Sequence, residues 1–328
     1  MPAYLPRREQ LETGVRALNR GILLLNMGGP NNIDEVEMFL RNMFADPNIL
    51  PMHPLMRKFV GNIIIKKRLH EAQENYREIG GKSPLTEITA SLCRKLEERL
   101  SLPVRPAMRY VPPFAAEALR EFQESGIEEI VLFPMYPHYS TTTTRSSVED
   151  VEAQCKALDY HPTLRVVDPY YEDPAYVAIQ VARISEALGD ADAGSYELLL
   201  SAHGLPMSII RAGDPYEKQI EANVARIEQA LADEGMVFRA TRLVYQSKVG
   251  SGAWLEPNLI DVLRKPRHLR VLISPLSFTI DNSETIFELD IEHREIAEKI
   301  GYEDYRVATC PNDSDAFVEV IVGQIQAL

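Results

Sequence analysis

The chain is poor in cysteine: its 328 residues hold only Cys93, Cys155 and Cys310, and no two form a CxxC pair. A zinc ribbon, a ferredoxin-type iron–sulfur site and a disulfide framework need such pairs or a denser set, so none is supported. Basic residues are in deficit: 35 Lys and Arg against 48 Asp and Glu give a net charge of −13. A nucleic-acid binder needs a basic face to neutralise phosphates, so that class is excluded. Long apolar runs are missing too. The dense ones, such as Gly21–Leu25 and Ile63–Ile65, fall far short of the ~20 residues of a membrane-spanning helix. Met1–Arg20 carries Arg7, Arg8, Glu9 and Glu12 without an apolar run, so no secretory signal is read there and a cytoplasmic location is expected. Neither GxGxxG nor a P-loop occurs, which removes the usual signals of dinucleotide and nucleotide binding.

What is present is an alternation. Short apolar runs at Gly21–Met27, Val104–Tyr110, Glu129–Met135, Leu164–Val167, Glu197–Ala202, Arg242–Gln246, Leu269–Pro275 and Tyr305–Thr309 read as strands. Several are continuously apolar, as strands buried on both faces of a parallel sheet are. Between them, stretches such as Thr86–Leu100, Ala115–Ser125, Tyr176–Leu188 and Glu217–Glu234 have the period of amphipathic helices. The class is therefore α/β with parallel sheets. The halves weakly repeat each other, GILLLNMGGP (21–30) matching ELLLSAHGLP (197–206) and IVLFPMYPHYS (130–140) matching VLISPLSFTID (271–281). Two Rossmann-like, doubly wound domains are expected at 21–172 and 173–312. A last helix at 313–328 could pack back on either domain, the first being expected. Ligands of such sheets bind at the carboxyl ends of strands, which selects Asn26–Pro30, Pro134–Ser147, Ser201–Pro206 and Pro275–Glu284.

Those loops carry unusual side chains. Gly28-Gly29-Pro30 is foremost a tight turn. His203 ends an apolar strand among small residues, at the position where a ligand is met. Glu284, Glu288 and Glu292, four apart, fall in one row on a helix, where like charges repel. A solvated acidic face is the plain reading, but the row starts at a strand-end loop, where stacked carboxylates raise one another's pKa and can pass protons or collect a cation. Tyr139–Ser147 is a hydroxyl-rich loop at a helix start, fit for capping or for a carboxylate or phosphate. Gly213–Tyr216 reads as a turn into a helix. Pro51–His70 sets Met52, Leu55, Met56, Phe59, Val60, Ile63 and Ile64 beside Arg57, Lys58, Lys66, Lys67 and Arg68, the pattern of a packed helix, a membrane-surface helix or a cover for an apolar ligand.

Taken in order, LNMGGP (25–30), YREIGGKSP (76–84), MRY (108–110), MYPHYS (135–140), SAHGLP (201–206), GDPY (213–216), QSKVG (246–250) with Trp254, and SETIFELDIE (283–292) resemble the ferrochelatase family, enzymes that insert Fe2+ into a porphyrin at the end of haem synthesis. The resemblance spans about Gly21 to Ala327. It implies two Rossmann-like domains around a porphyrin cleft, with His203 as pyrrole-proton acceptor and metal contact. Glu284 is then the metal-associated carboxylate, and Glu288 and Glu292 continue it as a relay. Met27, Arg109, Tyr110, Ser140, Thr141 and Trp254 would bind the porphyrin, and Met27 implies protoporphyrin IX where coproporphyrin-using members tend to have Tyr. The 48–70 lip would border the cleft and make any peripheral contact with the inner membrane; the chain would be a monomer or weak dimer. Many members have Asp-His where this chain has Asp281-Asn282, so a second histidine role is absent or passes to these residues. Some members hold an iron–sulfur cluster in a cysteine-rich tail. Here Cys310 is the only late cysteine, so no cluster and no permanently bound cofactor are expected, Fe2+ being a substrate. The alternatives are a coproporphyrin or cobalt chelatase of the same fold, or a non-catalytic porphyrin carrier.

Overall fold

The structure, a computed structural model, describes residues 19–248 and 252–328. The reading of Met1–Arg20 therefore lies almost wholly outside the described residues, as do Val249 and Gly250 of the QSKVG motif.

All eight expected strands are present: β1 (Arg20–Asn26), β2 (Val104–Met108), β3 (Glu129–Pro134), β4 (Thr163–Val166), β5 (Glu197–His203), β6 (Ala240–Gln246), β7 (Arg270–Pro275) and β8 (Asp304–Val307). They form two parallel four-stranded sheets of one topology, β2-β1-β3-β4 and β6-β5-β7-β8. Alternate residues feed opposite cores. Ile22, Leu24, Val131 and Phe133 enter one core of the first sheet, and Leu23, Leu25, Ile130 and Leu132 the other. In the second sheet Leu198, Leu200 and Leu272 oppose Leu199, Val271 and Ile273. Burial on both faces explains the unbroken apolar runs, each such side chain gaining roughly 2 kcal/mol by leaving water. Pro106 pairs with Leu24 in β2, an edge strand, where a missing N–H is tolerated.

Ion pairs hold the amino-terminal ends of the sheets. The buried Glu129 of β3 accepts from Arg20 Nε at 2.6 Å and Arg165 Nε at 2.7 Å. Glu197 of β5 accepts from Arg242 Nε at 2.9 Å. The carboxyl ends are left for the loops.

The helix Pro174–Leu188 serves both halves. Val177, Val181, Ile184 and Leu188 join the core of the second sheet, and Tyr176 and Ile179 that of the first. The last helix, Asp315–Gln326, buries Phe317, Ile321 and Ile325 with Ile22 and Phe133 of the first sheet, and Arg99 reaches Glu319 at 2.8 Å. The chain thus ends on the half in which it began.

Candidate active site

In both sheets the strand order reverses between the two middle strands, β1 and β3 or β5 and β7. Loops leaving those strands in opposite directions open a crevice there, and the two crevices face each other. Thr279 Oγ1 donates to Met135 O at 2.8 Å, and Tyr139 N–H donates to Gln219 Oε1 at 2.7 Å.

The second half supplies the titratable groups. His203 ends β5; its N–H donates to Ser277 Oγ at 2.9 Å and its carbonyl accepts from the Tyr216 hydroxyl at 2.9 Å. Its ring stands edge-on to Phe278, centroids 6.3 Å apart. Nδ1 lies 3.2 Å from Glu284 Oε1, and both side chains are 34% exposed, open to the crevice. Nδ1 has no aligned hydrogen-bond partner, and the contact becomes an ion pair only when the imidazole is protonated. Burial lowers the affinity of the imidazole for a proton, but Glu284 beside it and Glu288 beyond outweigh that, and its pKa is raised above the ordinary value.

Glu288 sits deeper. Its carboxylate accepts from Ser247 N–H at 2.8 Å, from Ser247 Oγ at 2.5 Å and from Gln246 Nε2 at 3.3 Å. Burial and then the charge of Glu284 push it up to about 7, against the pull of Ser247 and His203. Glu292 is exposed and also raised, first by desolvation and then by Glu71 of the lip helix and by Glu295.

The helix expected here is a π-helix over Glu284–Glu292, of the kind often found at functional sites. The His293 N–H bonds Glu288 O, five residues back. Glu284 and Glu288 both act on His203, whereas Glu292 has Glu71 and Glu295 as its charged neighbours. Asp281 and Asn282 anchor its start: Asn282 Oδ1 accepts from Glu284 N–H at 2.7 Å, and Asp281 accepts from Thr285 Oγ1 at 2.9 Å and Asn312 Nδ2 at 2.6 Å. Their side chains are thus engaged in holding the segment that presents Glu284.

The first half supplies a satisfied polar wall. Met27, half-buried at the end of β1, accepts from Tyr110 N–H at 3.1 Å through its carbonyl. Arg109 is held by Asp46 Oδ2 at 3.2 Å, Asp150 Oδ1 at 3.5 Å and Ser146 Oγ at 3.0 Å. Tyr110 is fully buried and donates to Asp46 Oδ2 at 2.8 Å. Asp46, its side chain 0% exposed, had no signal of its own in the sequence. In the hydroxyl-rich loop, Ser140 Oγ, Thr141 N–H and Thr141 Oγ1 all donate to Asp214 Oδ2, at 3.0, 2.7 and 2.8 Å. The carboxylate that this helix start takes is the chain's own. Gly28 adopts φ +85°, and a Cβ there would meet Val111 Cγ2 at 2.7 Å, so turn and close packing account for the glycine. Trp254 bridges to Pro206 just past His203. A cavity of about 260 Å³ opens beside Tyr136, Tyr139, Arg145 and Val166, and neither His203 nor Glu284 lines it.

The lip is one helix, Pro54–Glu78. Only Gly61, Ile65 and Tyr76 are buried, whereas Leu55 is 74% and Phe59 62% exposed, with Met56 and Ile63 beside them. The packed-core alternative is thereby removed for its first turns. Tyr76 Oη lies 3.1 Å from Ser283 Oγ, joining the lip to the start of the π-helix. Gln246 and Ser247, the partners of Glu288, were visible in the sequence only as part of a motif. Among the described residues no three His, Cys, Asp or Glu side chains form a group that could hold a metal ion.

Comparison with known proteins gives the family and the fold. The ferrochelatase family model matches residues 19–327. The chain is 47% identical over 311 residues to a ferrochelatase of Nitratiruptor sp., covering 94% of this chain and 100% of that one. It is 47% identical over 307 residues to a ferrochelatase of Wolinella succinogenes, covering 93% and 97%. Among solved structures, SirB from Bacillus subtilis with Fe3+ shares the fold at a TM-score of 0.55 and 11% identity, covering 94% of this chain and 95% of that chain.

Proposed function

The chain belongs to the ferrochelatase family, ferro-lyases that insert Fe2+ into a porphyrin in haem biosynthesis, and we propose that His203 and Glu284 carry that insertion here. The supporting observation is the 3.2 Å contact of His203 Nδ1 with Glu284 Oε1 at the end of a middle strand. Metal entry must displace two pyrrole protons. With Nδ1 turned to Glu284, Nε2 is the nitrogen left for a pyrrole N–H, the tautomer being assigned from this contact. Glu284 stabilises the imidazolium that forms. Glu288, with a pKa of about 7, takes up or gives up a proton at neutral pH, and Glu292 passes it to solvent. One imidazole and one carboxylate hold Fe2+ weakly enough to release it.

Protoporphyrin IX is the porphyrin. Met27, Arg109 and Trp254, each part-exposed, line its face. Tyr110, Ser140 and Thr141, whose hydroxyls are spent on Asp46 and Asp214, hold the wall from behind. The chain needs no resident cofactor or iron–sulfur cluster and works as a monomer or weak dimer. The test is insertion of Fe2+ or Zn2+ into protoporphyrin IX, read in the visible spectrum, with coproporphyrin and Co2+ as competitors. Glu284→Gln should cut turnover at least ~10-fold. Unchanged turnover would return the acidic row to a solvated face, and preference for Co2+ or coproporphyrin would move the substrate assignment.

No helix among the described residues is long and apolar enough to cross a membrane. The exposed Leu55, Met56, Phe59 and Ile63, next to Arg57, Lys58, Lys66 and Lys67, form a surface for anionic lipid headgroups, so the chain is cytoplasmic with a peripheral membrane contact. Cosedimentation with vesicles containing phosphatidylglycerol should fall several-fold in Leu55→Ser/Phe59→Ser while turnover on dispersed porphyrin stays near wild type. Equal cosedimentation would remove the lip from membrane contact.

A further inference from the structure

The two crevices are joined by a short segment whose sequence reads only as a turn. Asp214 is buried and stands before the helix Tyr216–Asp233. Its Oδ1 accepts from Tyr216 N–H at 3.0 Å, satisfying the first free N–H of that helix. Its Oδ2 takes the Ser140 and Thr141 donors of the opposite half. Further along the same helix, Gln219 takes Tyr139 N–H. At the helix tip, the Tyr216 hydroxyl donates to His203 O at 2.9 Å and lies 2.6 Å from Ser277 Oγ, which accepts from His203 N–H. One proton arrangement satisfies this ring: Tyr216 donates to His203 O, and Ser277 donates to Tyr216. His138, from the first half, packs edge-on to the Tyr216 ring at 6.0 Å and stacks on Tyr171 at 5.4 Å. Burial, partly offset by Asn223, pushes its imidazole down to about 3, so a neutral ring fills the space beside Tyr216.

We propose that Asp214 and Tyr216 are positioning residues for metal insertion, a strut that fixes the backbone of His203 relative to the Ser140–Thr141 loop across the seam. This rests on the reading of His203 as proton acceptor. Three donors from one half converge on a single buried carboxylate oxygen, and bonds to an ionised acceptor are the strong ones. Two residues later the same helix end grips the His203 carbonyl directly and its N–H through Ser277. A displacement of about 1 Å at such a point costs up to ~100-fold in rate.

The test is a double-mutant cycle in the full chain, with Zn2+ insertion into protoporphyrin IX as readout. Tyr216→Phe keeps the ring and loses both hydroxyl contacts; kcat should fall about tenfold with the porphyrin KM within about twofold. Thr141→Val removes one donor from the other half and should lower kcat about threefold. The double variant should be no worse than Tyr216→Phe, whereas unconnected sites would multiply their effects. Multiplied effects, or an unchanged kcat in Tyr216→Phe, overturn the strut. The His203 imidazole resonance is followed by NMR in the same proteins and should move in both single variants. A resonance that stays put in Tyr216→Phe overturns the strut even if the chain inserts no metal, which separates its failure from failure of the His203 reading.

Discussion

The two halves share one topology and use it differently. Each is a four-stranded parallel sheet with its crevice between the middle strands. In the first half the polar side chains at that crevice are already satisfied: Asp46 takes Tyr110 and holds Arg109, and Asp214, reaching across from the second half, takes Ser140 and Thr141. In the second half the groups at the same place are left in tension. An imidazole faces a carboxylate, and a second carboxylate lies part-buried behind them, pushed up to about 7. A saturated polar network is rigid, which suits holding a flat macrocycle. Titratable groups pushed away from their ordinary values suit moving protons. The same fold position serves grip on one side and chemistry on the other.

The sharpest way to break that division is His203→Ala. Insertion should fall by ~100-fold or more, with an unchanged circular dichroism spectrum and with porphyrin still bound. Activity close to wild type would take the chemistry out of the second half. Next comes Asp46→Ala in the wall. It strips the acceptor from Tyr110 Oη and Asn48 N–H and leaves Arg109 with Asp150 alone among its carboxylates. Breaking a buried pair of this kind costs about 3 kcal/mol. Denaturant unfolding should show that loss, and the porphyrin KM should rise more than kcat falls. A larger fall in kcat than rise in KM would place chemistry in the first half as well.

The smallest effect is a pH slope. Burial and the charge of Glu284 push the Glu288 carboxyl of the folded chain up to about 7, from an ordinary value of 4.5. The folded state therefore binds the extra proton between those values, and stability falls as pH rises through that window. Glu288→Gln has no such loss, so its Tm relative to wild type should climb between pH 5 and pH 8. A difference that stays level with pH would mean that Glu288 is ionised throughout, held down by Ser247 rather than up by burial.

The strands were legible because burial on both faces leaves continuous apolar runs, as in Ile22–Leu25 and Leu198–Leu200. His203 was legible because it closes such a run, and the Glu284 row because its spacing stood beside a strand end. The π-helical form of that row was not, since four-residue spacing suits an α-helix as well. Asp46 and the role of Asp214 were also hidden. Their partners lie 64 and 73–74 residues away, and nothing in a local pattern encodes a pairing at that distance. The lip left its alternatives open, because an apolar and basic helix reads alike whether it is buried or exposed.

By itself, then, the sequence determined the order of strands and helices, the strand ends where chemistry can sit, and the residue types placed there. Those follow from periodicity and apolar runs, which are local. Only the tertiary structure decided which carboxylates are saturated and which are strained. Asp214 and Glu288 each meet at least three donors, yet burial and the charge of Glu284 push the second up to about 7, and those surroundings come from chain segments that meet only in the folded protein.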